Sequence, residues 1–372
     1  MNFLMLTSFK EVTGYIGYIL LAILILLIMI TAHEAGHYFA GKLFGFGIEE
    51  FAIGFGPKLF SRKKKDGEVF SVRLFPFGGF CSFRGEDGDL LDKTAFNNFL
   101  PWKRIIVLFA GAFTNFILSL LIITVMFCTY GQTAFTVGKV QLNSNYAVEK
   151  SLQDGDIILS ANGKTVFLST DLMNALKDKK KGDGVEFTVK RQGKTEKITV
   201  ILRADTTIES VEDMASVYRA LGVEHSVKDG KVASAEFYTT TVKLSFFEIL
   251  YKSPQFALKL AGSIFTVLGQ LLTGKIGISS MGGTVTTIAM TADVIKVGGF
   301  KYFLYMTAFI GVNLAVFNLL PFPALDGARI VFCLIEWVRK KPVSRRVEGI
   351  IHTVGFVLLI LFAVFVDLRR CF

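Results

Sequence analysis

The most constraining feature of the sequence is an apolar run from Tyr15 to Ile30, which leads into His33-Glu34-Ala-Gly-His37. A membrane-spanning helix needs about 20 apolar residues, and this run supplies one that extends to about Ala40. Residues four apart lie on one face of a helix, so both imidazoles can point at one ion. Two histidine nitrogens suit zinc, and the Glu34 carboxylate is placed to take a proton from water. The sequence therefore predicts half of a metal site inside a span.

The composition indicates a polytopic membrane protein. Of the 372 residues, 52% are hydrophobic and 37 are Phe, and the mean hydropathy is +0.50, which is too apolar for an ordinary soluble chain. The net charge of +10 does not indicate nucleic-acid binding, because basic residues cluster beside the apolar runs, as at 62–65 and 339–341. Such juxtamembrane charge orients helices and attracts anionic lipid. The four cysteines form no C-x-x-C pair, so no disulfide framework is predicted.

We predict an α-helical membrane protein with about four transmembrane helices. Segment 256–272 contains Lys259 and Gln270 and is interpreted as an amphipathic helix lying at the interface. The loop 42–104 is rich in Lys and Arg, whereas the N-terminal tail has only Lys10. The positive-inside rule therefore places this loop in the cytoplasm and both termini outside. The predicted spans are about 15–40, 105–130, 302–320 and 347–366.

Within the cytoplasmic loop, two short segments rich in Phe and Val predict a membrane-associated β-hairpin. They are 48–53 and 68–75, and Asp66-Gly67 marks a turn between them. The glycine-containing aromatic segment 75–80 follows directly. Two interpretations of that segment stay open: a connector lying on the membrane, or a strand edge onto which an extended peptide pairs.

A soluble α+β domain is predicted for residues 136–203, outside the cytoplasm. It has an Asn-Gly hairpin signal at Asn162-Gly163, a helical pattern over 171–181 and alternating strands near its end. The pattern A-x-x-x-G-L-x-x-G-D-x-I-x-x-x-N-G of bacterial PDZ domains is similar to 147–163, with Ser151 in place of the first glycine. The domain map is therefore 1–130 for the first half of the membrane core, 136–203 for the PDZ-like domain, 204–300 for a linker and amphipathic interfacial region, and 301–372 for the second half of the core.

The second half of the metal site is predicted at the end of the third span. There, two prolines follow Asn318 and break the helix, and Asp326 comes shortly afterwards. An acidic residue at membrane depth is costly unless it is paired or bound to metal, although an interfacial helix cap is the plainer alternative. Spans one and three run in the same direction, so Asp326 can meet the two histidines at one depth. His225 is interpreted as a surface histidine and His352 as a packing or headgroup residue.

These motifs resemble those of the site-2 proteases, in the bacterial branch typified by the regulator-of-sigma-E protease. The chain carries H-E-A-G-H at 33–37, A-G-A-F-T-N at 110–115 and N-L-L-P-F-P-A-L-D-G at 318–327. The resemblance implies Zn²⁺ held by three ligands, with Glu34 as the base and Asn318 holding the substrate or stabilising an oxyanion. The implied ligands are His33, His37 and Asp326. It also implies that 75–83 is the family's membrane-associated β-loop.

The chain departs from the family pattern at three places, none of which removes a ligand. Ala112 replaces a proline in the second span, Ala328 replaces a glycine, and 280–285 only loosely follows the S-G-P-V-G segment. Asn115, in the second span, is expected to pack between helices more readily than to take part in chemistry.

The expected function is that of an intramembrane zinc metalloprotease in a bacterial inner membrane. Its expected substrates are transmembrane proteins, such as anti-sigma factors or remnant signal peptides, and no nucleic acid is involved. The PDZ-like domain would exclude bulky substrates or bind a freshly cut C-terminus. A membrane transporter and a non-catalytic PDZ scaffold are the alternatives. The transporter leaves the H-E-x-x-H motif unexplained, and the intact Glu34 argues against the scaffold.

Overall fold

The computed structural model describes residues 9–86, 88, 90–141, 151–206, 214–228, 231–277 and 281–371. They belong to two compact units. The first, the membrane unit, comprises residues 1–126, 251–271 and 277–372, and the second, the sheet unit, comprises 127–250 and 272–276. The first four positions of the PDZ-like sequence pattern, 147–150, lie outside the described residues, as does Ser280.

The helices of the described chain are α1 (Phe9–Phe44), α2 (Pro101–Tyr130), α3 (Ser169–Leu176), α4 (Met214–Leu221), α5 (Phe246–Leu272), α6 (Thr284–Asn318), α7 (Asp326–Arg339) and α8 (Arg345–Cys371), with a 3₁₀ turn at Phe96–Asn98. The strands are β1 (Ile48–Lys63), β2 (Val69–Phe83), β3 (Gln132–Val137), β4 (Ile157–Ala161), β5 (Lys164–Thr165), β6 (Gly184–Arg191), β7 (Lys194–Ile201), β8 (His225–Lys228), β9 (Lys231–Ala235) and β10 (Phe237–Val242).

Five of the described helices are long and apolar enough to cross a membrane. Four of them contain or overlap the predicted spans, which confirms a polytopic helical membrane protein. The fifth is α5, which includes the segment interpreted as interfacial, so length and composition leave the predicted count of four unconfirmed. The third predicted span, 302–320, corresponds to the second part of a much longer helix. Helix α6 begins at Thr284 and is kinked at Gly299, where φ is 63°.

Helices α1 and α6 run side by side in the same direction. The Lys296 ammonium lies 5.7 Å from the centre of the Tyr15 ring, and further along a β-carbon at Gly311 would lie 2.7 Å from Sδ of Met29. Four buried residues share the core there: Ile25, Met29, Ile295 and Ile310. In a membrane, such close backbone approach at glycine supplies van der Waals packing that lipid cannot replace. The parallel arrangement brings the C-terminal ends of both helices together.

The loop after α1 forms one long antiparallel hairpin, β1 with β2. Both strands extend beyond the segments that the sequence pattern marks, and several register shifts interrupt their pairing. Gly54 and Gly56 have φ of 86° in the irregular region, a conformation that glycine adopts without steric cost. The hairpin therefore includes the aromatic segment 75–80 as part of β2.

The sheet unit contains a six-stranded sheet, in the order β10-β3-β4-β6-β7 with β5 paired to β4, and a two-stranded sheet of β8 and β9. Its core is apolar and continuous, with Ile158, Leu172 and Phe187 fully buried. Val217 and Leu221 of α4 belong to the same core, although the sequence pattern assigns no element to 204–240. The alternation of apolar residues along β6 and β7 places one face of each strand on this core.

Candidate metal centre

The two histidines of H-E-x-x-H lie on one face of α1. His33 and His37 are 7% and 6% exposed, and their Nε2 atoms are 3.1 Å apart. Two ligands bound about 2 Å from a tetrahedral ion lie roughly 3.3 Å apart. The two nitrogens are therefore spaced as ligands of one zinc ion would be.

Asp326 approaches the histidines from the first position of α7. Its Oδ2 lies 3.0 Å from Nε2 of His33 and 3.2 Å from Nε2 of His37. The helix break after Asn318 turns the chain so that the carboxylate comes back to α1. A carboxylate at a helix N-terminus is also favoured by the helix dipole.

The donor set fits zinc. All three donor atoms lie within 4.8 Å of one another. Among the described residues, Oδ2 of Asp326 has no hydrogen-bond partner of normal geometry, although it is buried. Two imidazole nitrogens and one carboxylate oxygen are a common protein ligand set for catalytic zinc. Lone pairs this close repel one another unless a proton or a cation lies among them.

A second contact orients the ring of His37. Its Nδ1 lies 2.9 Å from the carbonyl oxygen of Val107 on α2. A carbonyl only accepts, so Nδ1 carries the proton and Nε2 keeps its lone pair for a ligand role. Such outer contacts fix the tautomer of metal-ligating histidines.

Helix α2 passes the two rings at Gly111, a residue that sequence reasoning missed. A β-carbon at Gly111 would lie 2.4 Å from Nε2 of His37 and 2.8 Å from Cε1 of His33. A β-carbon at Gly36 would lie 2.4 Å from the carbonyl oxygen of Ala110. The available signal was the pair of small residues in A-H-E-A-G-H and A-G-A, which is typical of close helix packing in membranes.

Glu34 and Asn318 line the same cavity as His33. Glu34 is hydrogen-bonded to the backbone of Cys81 in β2. The Nδ2 atom of Asn318 lies 3.3 Å from Nε2 of His33. A cavity of about 200 Å³ lies beside these groups and is lined by Ile30, His33, Glu34, Leu314, Asn318, Ala324, Leu325 and Asp326. Four of the five predicted site residues therefore line one cavity. The fifth, His37, does not line it, but its Nε2 atom lies 3.1 Å from Nε2 of His33.

Three other residues from the sequence analysis are not among these three donors. Asn115 is buried, and its amide has no hydrogen-bond partner within the described part of the chain. His225 belongs to the sheet unit, where its Nδ1 lies 2.9 Å from the carbonyl oxygen of Val223. The Nδ1 atom of His352 accepts a hydrogen bond from the backbone N–H of Ala324.

Apolar helices that carry an H-E-x-x-H site completed by a distant aspartate define the class of membrane-embedded metallopeptidases. The described helices and the cluster of His33, His37 and Asp326 have both features. The chain belongs to peptidase family M50, whose profile matches residues 21–362. It is an intramembrane zinc metalloprotease of the site-2 protease type, as the sequence predicted.

Relatives match along almost the whole chain. The chain is 33% identical to "Putative zinc metalloprotease CPE1693" of Clostridium perfringens, over 95% of this chain and 98% of that protein. It is 28% identical to "Zinc metalloprotease RasP" of Geobacillus kaustophilus, over 92% and 96% respectively. It is 27% identical to "Regulator of sigma-W protease RasP" of Bacillus subtilis, over 96% and 100%.

Proposed function

We propose that His33, His37 and Asp326 hold the zinc ion and that Glu34 is the general base. The reaction is hydrolysis of a peptide bond within or beside a transmembrane segment of a substrate protein. The observation that carries the proposal is the convergence of the two Nε2 atoms and Oδ2 of Asp326 within a few ångströms. The next residue after His33 supplies a carboxylate that faces the same cavity.

When bound, zinc supplies a Lewis acid that polarises a carbonyl group and makes water more acidic. The Glu34 carboxylate accepts the proton of the attacking water and delivers it to the leaving amine. Asn318 presents its amide N–H groups to the carbonyl oxygen as that oxygen gains charge. The His37 ring stays in one tautomer throughout, because its Nδ1–H donates to Val107.

A helical substrate must unwind before its carbonyls can react, since helix hydrogen bonds occupy them. Strand β2 is suited to hold the unwound segment by strand pairing. It runs beside the base: Cys81 is hydrogen-bonded to Glu34, and a β-carbon at Gly79 would lie 3.5 Å from Cγ of Glu34. We therefore assign substrate pairing to β2, which favours the strand-edge interpretation of segment 75–80.

The chain crosses the membrane four times in this proposal, and α5 lies at the interface. Asp367, near the end of α8, accepts hydrogen bonds from the backbone N–H groups of Val285 and Thr286 at the start of α6. His352 contacts the loop after α6. Residues 352 and 367 are roughly 22 Å apart along a helix, so α6 runs antiparallel to α8 across the membrane. The start of α6 then lies on the outer side, where α2 also ends.

This topology places the β1–β2 hairpin in the cytoplasm and the N-terminus, sheet unit and C-terminus outside a bacterial inner membrane. The basic residues of the hairpin loop support this orientation. A thiol reagent confined to the outside is expected to label Cys371 and not Cys81. Labelling of Cys81 alone would contradict the orientation.

The sheet unit acts as a PDZ-like domain in this proposal. Its support is the sequence pattern that ends at Gly163, together with a sheet whose core includes α3 and α4. The domain excludes substrates with a bulky outer part or binds a freshly cut C-terminus. Anti-sigma factors and remnant signal peptides are the candidate substrates, and the first class agrees with the name of the Bacillus subtilis relative.

The decisive experiment combines cleavage of a transmembrane peptide with metal analysis of the purified protein. Glu34→Gln is expected to keep one zinc per chain and to lose about 10²–10⁴-fold in rate, the usual contribution of a general base. Asp326→Asn is expected to lose both zinc and activity. Glu49→Gln, at an exposed position of β1, is the matched control. Cleavage by Glu34→Gln at the wild-type rate would refute the assignment of the base.

A further inference from the structure

The loop that carries Asp326 needs support from outside itself. It connects α6 to α7 through residues 319–325 and contains Pro321 and Pro323. Ala324 has a φ of 78°, which is uncommon for a residue with a β-carbon and persists only where the surroundings hold it. A proline-containing loop lacks some of the N–H groups that would otherwise fix it by hydrogen bonds. The position of Asp326 therefore depends on the contacts that other elements make with this loop.

His352 of α8 makes one of these contacts with the loop. The backbone N–H of Ala324 donates a hydrogen bond to Nδ1 of His352 over 3.0 Å. Only an unprotonated Nδ1 accepts, so the ring proton resides on Nε2. The ring centre also lies 5.7 Å from that of Phe332, on α7. His352 thus contacts both the loop and the helix that Asp326 begins.

Gly355, on the same face of α8, makes a second contact with the loop, at Pro323. A β-carbon at Gly355 would lie 2.3 Å from Cβ of Pro323 and 3.0 Å from its carbonyl oxygen. Residues three apart are neighbours on a helix surface. The adjacent loop residues Pro323 and Ala324 are therefore held by adjacent positions of α8. Gly349, on the same helix, has no atom within 4 Å of such a β-carbon.

We propose that His352 is a positioning residue: from α8 it fixes the backbone at Ala324 and thereby sets where the Asp326 carboxylate meets the two histidines. The proposal rests on the proposed role of Asp326 as a zinc ligand. His352 itself does not bind the metal, because its Nδ1 is occupied by the Ala324 N–H and the donor cluster contains other residues. Loss of such an outer contact typically weakens metal affinity by about 10–100-fold.

The test uses cobalt-loaded full-length protein in detergent. Cobalt replaces zinc because its absorption spectrum reports on the geometry and number of its ligands. His352→Phe keeps a ring at the position and removes the acceptor, whereas His352→Asn keeps an acceptor close to the backbone. Cobalt affinity is measured by competition with a chelator. His225→Phe is the matched control, since it makes the same change in the sheet unit.

We expect His352→Phe to bind cobalt about 10–100-fold more weakly and with a changed spectrum. We expect His352→Asn to recover most of the affinity and the wild-type spectrum, and His225→Phe to match wild type. Wild-type affinity and spectrum in His352→Phe would overturn the proposal. Equal loss in the Phe and Asn variants would also overturn it, because a general packing role predicts no rescue.

Two further comparisons cover the case of a variant that does not fold and the dependence on Asp326 as a ligand. If His352→Phe does not fold, His352→Leu, which also lacks the acceptor, is compared with His352→Asn, and equal cobalt affinity in that pair overturns the proposal. Asp326→Ala separates this inference from the proposed function. Undiminished cobalt binding by Asp326→Ala would refute the ligand set itself, whereas loss there with no effect at His352 would refute only the positioning role.

Discussion

Gly111 of α2 lies so close to the imidazole of His37 that a β-carbon at this glycine would be 2.4 Å from Nε2. Real β-carbons essentially never approach another atom so closely. The same helix accepts the Nδ1–H of His37 at Val107, one turn earlier. Helix α2 therefore positions the candidate ligands in two ways. The carbonyl of Val107 accepts a hydrogen bond from His37, and Gly111, which lacks a side chain, leaves room for both imidazole rings.

Gly111→Ala is therefore expected to displace both imidazoles. Overpacking costs about 1–3 kcal/mol, which corresponds to a loss of roughly 5–150-fold in zinc affinity. The measurement is a chelator competition on purified protein. Gly17→Ala, where a β-carbon meets no atom within 4 Å, is the control. Equal affinity in the two variants would show that the rings move aside without cost.

Asn318 is expected to affect turnover without affecting zinc content. Its amide lies 3.3 Å from Nε2 of His33 but is not one of the three candidate donors. Removing one donor to a developing oxyanion costs about 10²–10³-fold in kcat. Asn318→Ala should show that loss in peptide cleavage and keep one zinc per chain.

Asn313 offers a control on the same helix, because its Nδ2 donates to the carbonyl of Phe309 within α6. Asn313→Ala should cleave at the wild-type rate. Loss of zinc from Asn318→Ala would mean that this amide holds His33 in place and does not act on the substrate.

The candidate ligands were predictable because their signals are local. His33 and His37 follow the helical period, and Asp326 follows a helix break in an apolar run. Gly111 gives only the weaker signal of a small residue in A-G-A, since its role is to lack a side chain and its neighbours are distant in sequence. The contact of His352 with Ala324 is likewise long-range, so the sequence supported only a packing or headgroup role.

The element bounds were less predictable, for a different reason. Strands β1 and β2 extend well beyond their apolar segments because backbone pairing continues through charged residues such as Arg62 and Lys63. Helix α6 begins before Gly298-Gly299, where sequence patterns favour a break, and continues after the kink at Gly299. In the sheet unit, α4 is short and its apolar face is visible only once the core around Val217 is known.

The Arg104–Glu336 pair is expected to determine how firmly α7 is held to α2. Arg104 is 1% exposed, and its Nη2 lies 2.5 Å from Oε1 of Glu336. Removing one partner of a buried pair costs about 3–5 kcal/mol, because the other charge stays buried without compensation. Glu336→Gln should therefore lower the unfolding temperature in detergent by several degrees or more.

The double variant Arg104→Met/Glu336→Gln provides the matched comparison, since it removes both charges. It should recover part of the lost stability. Glu186→Gln removes one partner of an exposed pair with Lys197 and should change the unfolding temperature little. A double variant less stable than Glu336→Gln alone would show that Arg104 contributes by more than this pair.

Glu68 is expected to make the attachment of the β-hairpin to α1 sensitive to pH. Its carboxylate is 2.6 Å from Nζ of Lys42 and 2.8 Å from Nζ of Lys64, which also donates to the hydroxyl of Tyr38. Burial alone would raise the pKa of Glu68, but the hydrogen bonds from Lys42 and Lys64 hold the pKa below its usual 4.5. Stability from a lowered carboxyl pKa is present above the unfolded value and is lost as the pH falls through the folded value.

The unfolding temperature of the wild type should therefore be steady above about pH 5 and fall below pH 4.5. Glu68→Gln should be less stable at pH 7, and its difference from the wild type should shrink as the pH falls, because protonated Glu68 and Gln are both neutral. Glu49→Gln, at an exposed position of the same hairpin, should follow the wild type throughout. A constant difference between wild type and Glu68→Gln from pH 7 to pH 3 would mean that the shape of the side chain, and not its charge, holds the hairpin to α1.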